Sequence, residues 1–237
     1  MRPDLRAMLL AATLALTGCQ KVDEAAFGAR VHAYLLQHPE VIREAALKLA
    51  ANDRQAAATN AIETLEKHRA ELEHDPRDFV ANPGGKFTIV EFFDYRCGYC
   101  KAAAPEVVRI IQENPDVRFV FKEFPIFGTV SDTAAKLALT PAGKSQGLAL
   151  YALWMKDNAL TDAALDRHLA SVGLDPAQVR KDALDPALDQ QLRDTRALAA
   201  TLKIEGTPAF VIGDTIVPGA DMRALREAIA KTRSQRG

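Results

Sequence analysis

Three scarcities narrow what this chain can be. Its basic residues are never massed into a block, and 30 Lys and Arg against 31 Asp and Glu leave a net charge of -1. A nucleic-acid partner needs gathered lysines and arginines to neutralise phosphates, so DNA and RNA drop out. Apolar runs are short as well. The stretch Met8 to Leu16 is about half of the roughly 20 residues that span a bilayer, and no later stretch is long enough either. Cysteines number only three, Cys19, Cys97 and Cys100, an odd count that leaves one unpaired. What remains is ordinary globular material, 237 residues with 48% hydrophobic and 26% charged content, enough for one full domain and something smaller.

At the amino terminus Arg2 and Arg6 precede the apolar run, and the small residues Thr17-Gly18 precede Cys19. That order is a secretion signal over residues 1–18. Leu16-Thr17-Gly18-Cys19 also resembles the bacterial lipobox, which implies cleavage before Cys19 and acylation of both its sulfur and the new amino terminus. Several acyl chains attach a protein stably where one is marginal. The alternative is a signal cut elsewhere or not at all, with Cys19 an ordinary thiol. Without residues 1–18 the chain carries 28 basic and 30 acidic side chains, still nearly neutral. The expected location is the periplasmic side of the membrane, held by a lipid anchor at Cys19.

Lipidation of Cys19 accounts for the odd cysteine and leaves Cys97 and Cys100. A loop that short removes almost no chain entropy when closed, so stabilisation is a poor reason for pairing them and chemistry is a better one.

Residues 19–80 read as a helical extension. Phe27, Val31, Tyr34 and Leu35 share one stripe, the pattern breaks at His38-Pro39, and a second helix carries Val41, Ile42, Ala45, Leu49, Ala56, Ile62, Leu65 and Leu72. No glycine interrupts it between Gly28 and Gly84. The stripe is narrow and alanine-rich, which suits packing on another helix, either in a hairpin on its own domain or in a self-association stalk that makes a homo-oligomer. Asn82-Pro83-Gly84-Gly85 ends the periodicity, and residues 81–237 form the catalytic domain. There Phe87 to Phe93 reads as a strand, Cys97 to Glu113 as a helix and Val117 to Phe124 as a strand, a βαβ unit. Residues 129–203 read as a wholly helical insert in which Tyr151 and Trp154 are core. Ala209 to Ile212, the turn Gly213-Asp214, Thr215 to Val217 and a helix from about Ala220 close the chain. The fold class is α/β.

Disulfide exchange needs an attacking thiolate, a second sulfur to resolve the mixed disulfide, and a means of holding the attacking pKa low. The C-x-x-C spacing supplies the first two. A helix starting at Cys97 supplies the third, because its free N–H groups face that sulfur while Cys100 lies one turn inside. Cys97 is therefore read as the nucleophile and Cys100 as the resolving thiol. Structural zinc is the competitor, but it wants two further ligands at matching spacing. His32, His38, His68, His74 and His168 do not provide them.

The run Glu91-Phe92-Phe93-Asp94-Tyr95-Arg96-Cys97-Gly98-Tyr99-Cys100-Lys101, together with Thr207-Pro208, resembles the DsbA-like branch of the thioredoxin superfamily over residues 86 to 233. The resemblance implies a thioredoxin fold with an inserted helical subdomain, and no cofactor beyond the redox-active disulfide Cys97–Cys100. It implies a cis bond between Thr207 and Pro208 beside the sulfurs, with the backbone before the proline pairing to substrate. It makes Glu91 a buried acid beneath the disulfide, although alternation could instead turn Glu91 to solvent.

Gly98-Tyr99 departs from the Pro-His pair of strongly oxidising members, and Thr207 replaces their valine. Cys-Gly-Tyr-Cys with Thr-Pro is similar to DsbC-type isomerases, and the extension is similar to that of the copper-sensitivity suppressor group. Without a histidine beside the nucleophile the thiolate has less support, which favours isomerase or reductase over oxidase. The implied partners are exported cysteine-containing clients and a membrane redox partner of DsbD or DsbB type. A lipid-anchored scaffold that binds copper or protects thiols without turnover is the alternative of another class.

Overall fold

A computed structural model describes residues 23–236; the expected signal over residues 1–18 and the expected lipidation site Cys19 lie outside the described residues. The chain divides between Ala57 and Ala58 into two units. In the first, Asp23 caps α1 (Glu24–Gln37) by accepting the N–H groups of Ala25 and Ala26. The helix stops at His38, where Pro39 disfavours helical backbone in the preceding residue, and α2 (Pro39–Lys67) follows. No side chain of α1 is buried, and Phe27, Tyr34, Leu36, Ile42, Leu47 and Leu49 are all exposed.

The second unit is built on a five-stranded sheet of β1 (Phe79–Ala81), β2 (Phe87–Phe93), β3 (Val117–Glu123), β4 (Ala209–Ile212) and β5 (Thr215–Pro218), in the order β1-β3-β2-β4-β5. Only β2 and β3 run parallel, joined by α4 (Gly98–Glu113). β2 and β3 are buried at every residue but their second because both faces of the sheet are covered. Ile89 and Phe93 face one core with Val107, Ile110 and Tyr151, while Val90 and Phe92 face another with Leu65, Leu72 and Leu198.

That second core moves the expected domain boundary. Leu65 at the end of α2 and Leu72 in α3 (Arg69–Glu73) are sealed against the sheet, each 1% exposed, and Phe79 of β1 pairs with Phe121. Residues 58–80, read as extension, therefore belong to the sheet-bearing unit. Two leucines seven residues apart look the same on a stalk as on the back of a sheet.

The insert holds α5 (Thr129–Leu139), α6 (Pro141–Ser145), α7 (Gly147–Lys156), α8 (Asp162–Ser171), α9 (Pro176–Asp182) and α10 (Pro186–Thr201). Its prolines Pro141, Pro176 and Pro186 mark helix starts. Thr140, Asp175 and Asp185 each cap a helix with a side-chain oxygen, and each is followed by proline at the first helical position. α11 (Met222–Arg236) closes the fold.

Candidate active site

β2 delivers the site to one end of the sheet. After Phe93 the loop Asp94-Tyr95-Arg96 leads to Cys97, which caps α4 in an extended conformation at φ -71° and ψ 121°. The Cys97 N–H donates to the Asp94 carbonyl at 3.1 Å. β4 runs antiparallel to β2 with Ala209 opposite Phe92, so the residues just before β4 arrive beside the loop. Thr207–Pro208 is a cis peptide, and the Cys97 thiol donates to the Thr207 carbonyl at 3.2 Å. Strand pairing thus joins Cys97 and Thr207 across the intervening insert.

Both cysteines are free thiols, and their proton affinities are driven apart. A hydrogen bond from the Cys100 thiol, another from the Thr207 side chain and the N–H groups of Cys100 and Tyr99 hold Cys97 down at about 5, against the opposing effect of burial. Cys100 is pushed well above the ordinary thiol range, chiefly by burial and then by the bond it gives to Cys97 and the nearby Glu91 carboxylate. One sulfur is primed as thiolate and the other keeps its proton.

Glu91 is fully buried, because β2 is central and has no solvent face to turn it towards. Burial pushes its carboxyl up to about 8, a donated hydrogen bond from Tyr151 opposes this, and the charge on Cys97 adds to it. The Tyr151 hydroxyl reaches both carboxylate oxygens, at 3.2 and 3.1 Å. A carboxyl titrating there can give and take a proton near neutral pH.

Several residues that shape the site carried little sequence signal. Asp94, 1% exposed, accepts four hydrogen bonds, from the N–H of Arg96 (2.6 Å), Ile126 (2.7 Å) and Phe127 (3.0 Å) and from the Ser131 hydroxyl (2.8 Å). It therefore clamps the nucleophile loop to the β3–α5 loop; a short acid directly after a strand is the one hint available. Tyr151 is core, as expected, and also the donor to Glu91. Lys101 inserts its ammonium into the end of α7, donating to the carbonyls of Trp154 (3.0 Å) and Asp157 (2.6 Å), so the active-site helix caps a helix of the insert. Around the dithiol Tyr99, Ile126 and Phe127 stay exposed, three of the five large apolar side chains so placed between residues 58 and 236.

Residues 88–230 match the family model described as a DSBA-like thioredoxin domain, and residues 23–58 match that of the copper resistance protein ScsC N-terminal domain. Among solved structures the chain is similar to a thioredoxin-like oxidoreductase from Silicibacter pomeroyi DSS-3, at 36% identity and TM-score 0.66, covering 70% of this chain and 98% of that one. It is also similar to Salmonella enterica Typhimurium BcfH, at 29% identity, TM-score 0.67 and coverage of 97% and 99%. Proteus mirabilis ScsC in a transitional conformation gives 28% identity, TM-score 0.66 and coverage of 90% and 97%. The chain spans 18% and 32% of the lengths of the first two curated relatives it matches.

Proposed function

Since the chain belongs to the DsbA-like thioredoxin-domain family of thiol:disulfide oxidoreductases, with a ScsC N-terminal domain ahead of it, we propose that it shuffles or reduces disulfides in exported proteins through Cys97 and Cys100. The supporting observation is the opposed proton affinity of two sulfurs at one helix end. Cys97 near 5 falls between the about 3.5 of a strong dithiol oxidant and the about 7 of a reductant. Gly98-Tyr99 in place of Pro-His agrees with that middle position. Glu91 moves the Cys100 proton, and the backbone of Thr207 ahead of Pro208 pairs with the client.

Cys100→Ser should arrest exchange at the mixed disulfide, giving client adducts on Cys97 that a reductant removes. A scaffold that protects thiols without turnover predicts instead that the variant keeps full function. The reduced protein should also restore activity to scrambled ribonuclease, at a potential between about -120 and -270 mV. A potential at the oxidising end with no refolding would reassign the protein as an oxidase.

The exposed apolar residues of α1 and α2 support self-association, and several dithiols presented to one client raise the effective concentration of attack. With Cys19 acylated, these would stand on the periplasmic face of the membrane, resupplied by a membrane redox partner of DsbD or DsbB type. Native mass spectrometry of the membrane fraction should find an acylated Cys19 at the amino terminus and more than one copy per particle. A chain that retains residues 1–18 would exclude the anchor, and a single copy would exclude the assembly.

A further inference from the structure

Beside the dithiol, on the side of α4 that faces α7, lies an open groove of about 610 Å³. Its wall begins at Gly98, the residue after the nucleophile, and passes Ala102 and Pro105 to Val108, with Ala152 and the buried Met155 across from them. The groove exists because α4 carries Ala102 and Ala104 where longer side chains would fill it. Pro105 adds a second feature. It has no N–H, so the Lys101 carbonyl one turn earlier lacks its helical donor, and both residues line the groove. Lys156 is exposed at the rim, and among the described residues lining the groove none is acidic. An apolar volume of this size with a few convergent polar groups is the form of a side-chain or small-ligand site.

We propose that the groove receives an apolar side chain of the client polypeptide, two to four residues from the cysteine joined to Cys97, and prefers clients with an acidic residue next to it. This rests on the thiol-exchange reading above. The occupant follows from the position: an extended chain advances about 3.3 Å per residue, so a segment tethered to Cys97 and crossing Gly98 brings its next side chains over the groove. Tethering also supplies the local concentration that a free small molecule lacks. The ammonium at the rim favours an acidic neighbour.

The test uses the mature chain with Cys100→Ser and two peptides, each with one cysteine as a mixed disulfide with glutathione. They differ in carrying Leu or Ser three residues after the cysteine. The Cys97 thiolate attacks the peptide sulfur, the Cys97–peptide disulfide forms, and glutathione leaves as a thiolate that solvent protonates. Adduct should form about tenfold faster with the Leu peptide. Ala152→Trp, which fills the groove, should abolish that preference while leaving the Ser peptide's rate unchanged, a rate that also reports an intact fold. Ala102→Glu on the exposed rim repeats the test if the indole is not accommodated. Equal rates for the two peptides, or a preference that survives both substitutions, would overturn the groove's role with thiol exchange intact. Failure of both peptides to form adducts would overturn the exchange reading itself.

Discussion

Lys122→Met should destabilise the sheet-bearing unit by about 3–5 kcal/mol, the cost of stranding one member of a buried ion pair. Lys122 and Asp78 meet at 2.5 Å with side chains 2% and 1% exposed. The same ammonium donates to the Glu71 carbonyl, and Asp78 also accepts from the Gln191 amide at 3.1 Å. Burial pushes the Asp78 carboxyl up and Lys122 opposes that, so without the lysine its folded pKa rises further above the unfolded one. A carboxyl shifted that way takes stability from the fold as pH climbs, and the deficit of the variant should shrink in acid. Urea denaturation at pH 7.5 and pH 5 reads both effects; a loss under about 1 kcal/mol at the higher pH would show that the pair is not acting as a sealed unit. Lys122→Met with Asp78→Leu should recover most of the loss, since a well-packed apolar replacement is commonly neutral.

Glu91→Gln should slow resolution of the mixed disulfide by about 100-fold, the usual scale for losing a positioned acid or base. In the unaltered protein, attack by Cys97 should rise with pH through about 5. Resolution, which needs Glu91 ionised to take the Cys100 proton, should rise through about 8. The glutamine variant should keep the first rise and lose the second, because its amide still accepts from Tyr151 but holds no titrating proton. Stability should move the opposite way. Glu91 titrates higher in the fold than its ordinary 4.5, so it weakens the native state progressively as pH rises from 4.5 towards 8, and the variant should be the more stable at pH 8. Stopped-flow resolution paired with denaturation separates a catalytic defect from a folding one: slower turnover in a destabilised protein would count against the proton-transfer role.

How much of this was legible beforehand depended on what fixes each feature. Strands β2, β3 and β4 and the start of α4 are written in local pattern, because a β-branched and aromatic run with five apolar residues in seven, followed three residues later by C-x-x-C, leaves few arrangements. β1 was not, since three residues carry no usable alternation and pair only because β3 offers an edge. Glu91 could be placed in a strand but not on a face; its burial follows from the position of β2 third in the sheet, a property of topology. Asp94, Lys101 and Lys122 are ordinary charged residues until the loops, helix ends and neighbouring strand they serve have arrived. The division at Ala57 and Ala58 was masked for the same reason, as leucine spacing states that a helix face is buried and not what buries it.

The hydrogen bonds gathered on Asp94 have a mechanical meaning. Two loops that carry the nucleophile's anchor and the exposed pair Ile126 and Phe127 share one carboxylate, so the reactive sulfur and its apolar flank form a single rigid gauge. On the proposed exchange reading, a client pressed against Phe127 would be held at a set reach from Cys97, and chains whose cysteine falls outside that reach would gain nothing from the contact.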